Sequence, residues 1–177
     1  WDPSPLAHDI ESFTLALANM GIAVVLRIDR FSNPFFTVVS PGEVLDMSQE
    51  EMWSAPSGGG YLPVDLWQEM ATYMVPLTPQ GQAIVSTVED LEANTRLKLD
   101  HATSAVDVGM HLVAQDLMMN AFWMDVRKAQ DPSRNFGPAP TAAHAALRAV
   151  VPLKAPDGQR PTQPYGQTVY EFMKVTP

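Results

Sequence analysis

Residues 106–126 read VDVGMHLVAQDLMMNAFWMDV. A helix drawn through them is apolar on most of its faces, which predicts a central core helix or one covered by a second subunit. Working outward, Val88, Leu91, Leu99, Ala102, Val106, Gly109 or Met110, Val113, Leu117, Ala121 and Met124 recur in steps of three and four. That stripe predicts a helical element from near Pro79 to about Gln130, stopped by Asp131-Pro132. Roughly 45 residues of unbroken helix would span ~65 Å, so a break is expected near Asn94-Thr95 or Gly109.

Upstream, DIESFTLALANM (9–20) sets Ile10, Phe13, Leu17 and Met20 at helical spacing, with Gly21 as the expected stop. The β-branched run Ile22 to Ile28, turn chemistry at Arg30 to Pro34, and the aromatic stretch Phe35 to Val39 predict a β-hairpin. Ser48 and Glu51 form a capping box for a short helix ending near Trp53. SAPSGGG (54–60) reads as a mobile loop, and Pro63 to Met74 as a helix entered through its proline. Downstream, a short helix is expected over 140–151 and a terminal strand over Gln167 to Val175, able to pair with the hairpin. The expected fold class is therefore α+β and mostly helical, a long central helix with a small antiparallel sheet. Its organisation is a core domain over 1–131 and a proline-rich arm over 132–177, where seven of the sixteen prolines fall between Pro132 and Pro164.

Charge and composition narrow the function. The 177 residues carry 20 acidic against 11 basic side chains, a net charge of −9, so no direct nucleic-acid partner is expected. The acidity is concentrated in residues 1–80, which hold 10 acidic and 2 basic side chains. The absence of cysteine excludes disulfides, thiolate metal sites and a cysteine nucleophile. No apolar run is read as reaching the ~18 residues that cross a bilayer, so no membrane span is expected. The chain opens on Trp1, so a preceding segment is expected.

The sharpest chemical candidate is a stripe on the long helix, Asp100, Ser104, Asp107, His111 and Gln115. Asp107 and His111, four apart, have the spacing to share a divalent metal, with Asp100 nearby, or to form a carboxylate-oriented base. Neither HExxH nor ExxH is present, so the bland reading is an ion pair on a polar face, with no catalytic residue, metal or cofactor expected. His8, His101 and His144 lack matching ligand spacing and read as surface or capping side chains. The SGGG run lacks the lysine of a phosphate loop and reads as a connection. Met118, Met119, Phe122 and Trp123 form an adaptable apolar cluster that, with Pro138 and Pro140 of the arm, is the expected protein interface.

These features point to a non-catalytic structural or interaction subunit of a larger assembly, coat-like or scaffold-like, whose arm wraps a neighbour in a homo- or hetero-oligomer. Two other readings compete. One is a metal-dependent enzyme or ligand-binding domain built on Asp107 and His111, and the other is an acidic inhibitor of a basic protein.

Overall fold

The computed structural model describes residues 4–77, 94–154 and 163–175. It contains α1 (Ser4–Ser32), α2 (Pro34–Thr37), α3 (Pro41–Leu45), α4 (Gln49–Ser54), α5 (Leu62–Tyr73), α6 (Thr95–Gln130), α7 (Pro138–Val150) and α8 (Tyr165–Val175). Among the described residues there is no strand, so the expected antiparallel sheet is replaced by helices throughout.

The hairpin fails first at Gly21, which does not stop α1. A Cβ there would lie 3.1 Å from Met70 Sδ and 3.2 Å from Trp67 Cδ1, so glycine is present for close helix packing. Beyond it, Val24, Val25 and Ile28 are buried while Ile22 and Leu26 are exposed, a period near 3.6 and not 2. The helix penalty of β-branched residues is only tenths of a kcal/mol each, less than the roughly 1.5–3 kcal/mol gained by burying one such side chain. The second expected strand is the single turn α2, where Asn33 Oδ1 accepts from the Phe35 amide at 2.9 Å and Val38 closes the turn at φ 54°. The expected terminal strand is α8, with Val169 and Tyr170 buried.

The capping box forms as the sequence predicts: the Ser48 amide donates to Glu51 Oε2 at 2.7 Å and the Glu51 amide to Ser48 Oγ at 3.2 Å. The part of the long element before Asn94, including Val88 and Leu91, lies outside the described residues. Asn94 stands at φ 52° immediately before α6, and Gly109 continues the helix without a break. The stripe on α6 is displaced from its expected position. Ala102, Gly109 and Ala121 of that stripe are buried, but Leu99 and Val106 are exposed, and the buried side is completed by Ala105, Leu112, Ala114, Met118 and Val126, which the stripe left out.

The chain divides into two compact units, Trp1–Ala23 with Val64–Met110, and Val24–Pro63 with His111–Pro177. In the first, Met70 is fully buried and touches the positions of both Gly21 and Gly109, and Trp67 Nε1 donates to the Ala18 carbonyl at 3.2 Å. The core of the second is the Met118–Val126 segment, where the Trp123 ring stacks on Phe31 at 6.0 Å and Arg127 Nη2 donates to the Thr37 carbonyl at 3.1 Å.

The membrane expectation is also revised. Pro5–Ser32 is long and apolar enough to cross a bilayer by length and composition, with a mean hydropathy of 1.5 over its best window. A stop at Gly21 would halve this run, but α1 continues through it. Only 28% of that window is buried inside the structure, where Glu11 and Arg27 are each held by an ion pair and the Gly21 face is packed closely.

Candidate functional site

Three places concentrate chemistry. In the first unit, α1 and the start of α6 flank an open groove of about 410 Å³, lined by Asp9, Ile10, Phe13, Leu99, Ala102, Thr103 and Val106. Its walls are apolar and half-exposed at Phe13, Leu99 and Val106. The Thr103 hydroxyl donates to the Leu99 carbonyl at 2.9 Å, so its proton is already used within the helix. Among the described residues of the lining, one is charged, Asp9.

Beside the groove, Lys98 is 4% exposed and its ammonium lies 3.1 Å from Glu11 Oε1. The Leu77 amide donates to the same oxygen at 2.8 Å. Burial pushes the Glu11 carboxyl up, but the Leu77 amide and the Lys98 ammonium together outweigh it and hold the group below its ordinary value.

In the second unit, Asp125 on α6 is shared by two cation-capable side chains of α7. Its Oδ1 lies 2.7 Å from His144 Nε2, and its Oδ2 accepts from Arg148 Nε at 2.8 Å. Arg148 Nη1 donates to the Val151 carbonyl at 3.1 Å, beyond the helix end. With both carboxylate oxygens and most of the guanidinium engaged, the cluster clamps α7 onto α6. His144 and Arg148 lie four apart on α7, and that spacing is the signal by which sequence reading could have paired them with one carboxylate.

The same unit holds a second carboxylate pair, in which Asp116, nearly buried, takes two parallel hydrogen bonds from Arg27, one of them Nε to Oδ1 at 2.8 Å. The bond to Asp116 raises the Arg27 pKa further.

The stripe predicted from sequence is distributed differently. Asp100 and Asp107 are exposed on α6. The His111 ring stacks in parallel on Tyr170 of α8, centroids 3.8 Å apart and planes 8° apart. Gln115 is buried, and a Cβ on Gly166 of α8 would overlap its Nε2. Among the described residues no group of three His, Asp or Glu side chains is placed to hold a metal. Met118, Met119, Phe122 and Trp123, expected at an interface, are buried in the core, and only Pro138 and Pro140 of that set are exposed, in the first turn of α7. The SGGG run is no free connection at Gly58, which is buried at φ 70° against the α6 backbone.

Architecture and site together define a protein that is helical throughout its described elements, which are tied by partly buried carboxylate–cation pairs. A family model described as aromatic amino acid lyase matches residues 1–149, and the chain belongs to that family. No curated protein and no solved structure matches the chain. Membership overturns the expectation of a purely non-catalytic assembly subunit, and with it the acidic-inhibitor reading, because the matched segment is that of an enzyme family. The apolar helix that suggested an assembly role owes its character to the core of the second unit.

Proposed function

We propose that the protein acts as a lyase on an aromatic amino acid. The Cα–N bond is the one whose loss, with a β-proton, leaves a double bond conjugated with both the ring and the carboxyl group. In that elimination the β-proton passes to a base, the β C–H electrons form the new double bond, the C–N pair leaves with the amine, and ammonia and an unsaturated acid are the products. The observation that carries this reading is the family match over residues 1–149, which runs from the start of α1 to the last turn of α7. Within that span, we assign the Asp125–His144–Arg148 cluster to anchoring α7.

The working form we propose is an oligomer of this chain. What supports it is a second apolar stripe on α1, Leu15, Ile22 and Leu26, each more than a third exposed and spaced by seven and four residues. Incubation with phenylalanine, tyrosine or histidine should raise near-ultraviolet absorbance in step with released ammonia. Ammonia without the conjugated acid, or neither product from any of the three, would exclude the elimination. Light scattering of the Ile22→Glu variant reads the oligomer separately, and an unchanged monomeric mass in both proteins would remove it.

A further inference from the structure

We propose that the groove between α1 and α6 binds a small aromatic amine, an arylalkylammonium ion without a carboxylate. This site goes beyond the lyase reading, whose substrate is an amino acid. Its volume of about 410 Å³ falls within the range of small-ligand sites. Ile10, Leu99 and Val106 offer apolar surface for a ring or short chain, and Phe13 presents a half-exposed aromatic face.

The charge selects the class of ligand. Among the described residues of the lining, Asp9 is the one charged side chain. The neighbouring Glu11 already faces the Lys98 ammonium, which leaves Asp9 to set the sign of the described lining. An ammonium group bound there would have the Asp9 carboxylate and the Phe13 ring as neighbours, the pair of contacts that recognises organic cations. An amino acid would bring its own carboxylate beside Asp9, with no cation among the described lining residues to receive it, and would be rejected relative to the amine. Decarboxylation of aromatic amino acids is the class of reaction that supplies such amines.

Calorimetric titration of the whole chain with 2-phenylethylamine and with 3-phenylpropanoate compares the same ring carrying opposite charges. The amine should bind at least about fivefold more tightly, and Asp9→Asn should remove most of that difference, on the scale of an exposed charge pair. Val106→Trp, which fills the groove from an exposed position, should abolish amine binding while leaving ammonia release from phenylalanine unchanged. Equal affinity for the two ligands, or no binding of the amine at millimolar concentration, overturns the proposal. So does amine binding that survives both substitutions, or mass measurements in which Val106→Trp disrupts an oligomer, since a second copy would then cover the groove. The product assay on the unsubstituted chain is independent of all these outcomes, so a failed amine site and a failed lyase reading remain distinguishable.

Discussion

At the scale of single residues, Gly58 and Gly60 separate two reasons for glycine that look identical in SGGG. Both have positive φ, 70° and 95°, but a Cβ on Gly58 would overlap the Gln115 carbonyl oxygen and lie 2.8 Å from the Met119 amide nitrogen, whereas Gly60 has open space around it. Gly60→Ala should therefore cost only backbone strain, about 1 kcal/mol, and Gly58→Ala at least about 2 kcal/mol more, because α6 backbone cannot yield. Urea denaturation of the two variants tests this, and equal losses would mean that the loop lifts off α6 at no cost. Lys98 carries a similar contrast between charge and shape. Lys98→Ala strands a partly buried carboxylate and should cost about 2 kcal/mol, less than a fully buried pair because Glu11 keeps 24% of its side-chain exposure. The double variant Lys98→Met with Glu11→Leu should recover most of that loss, and a double variant no more stable than Lys98→Ala would refute pairing as the cause.

At the scale of elements, the sequence announces α6 through its length and apolar content but misplaces its buried side. The stripe drawn through Leu99, Val106, Val113 and Leu117 misses Leu112, which is 1% exposed, because alanines and methionines in the segment permit several apolar faces of similar weight. Leu112→Ala should cost roughly 2–4 kcal/mol and Leu117→Ala distinctly less, read as urea midpoints at constant slope. Equal costs would restore the stripe drawn from sequence. The capping box of α4 was fully legible, since both of its partners lie within four residues. The hairpin and terminal strand were not, because a run such as IAVVLRI satisfies either period until Met70 and Trp67 pack against Gly21. The same reason hid the site: Asp125, His144 and Arg148 are dispersed over 24 positions of sequence and meet only when α7 folds back on α6.

For the whole molecule, acidity acts in two directions. The net charge of −9 makes the folded chain repel itself at neutral pH, and that repulsion fades as pH approaches the isoelectric point near 4.7. Against this, four carboxyls among the described residues sit below their ordinary values when folded. The Leu77 amide and Lys98 do this at Glu11 against the upward push of burial, the Ser48 amide at Glu51, Ser133 at Asp131, and Gln167 at Glu171. A carboxyl whose pKa is lower in the folded state contributes stability that is fully present above its unfolded value, 4.5 for Glu and 3.8 for Asp, and is lost as pH falls through the folded value. Glu51, Asp131 and Glu171 are exposed, so their shares are small, and Glu11 with its buried Lys98 dominates. Urea midpoints should therefore hold or rise from pH 7 to about 5 and then fall steeply below pH 4.5. Glu11→Gln removes the titrating group, so it should lower stability at pH 7 and flatten the acid limb. A variant whose acid limb runs parallel to that of the parent chain would show that general charging, and not the Glu11–Lys98 pair, unfolds the protein in acid.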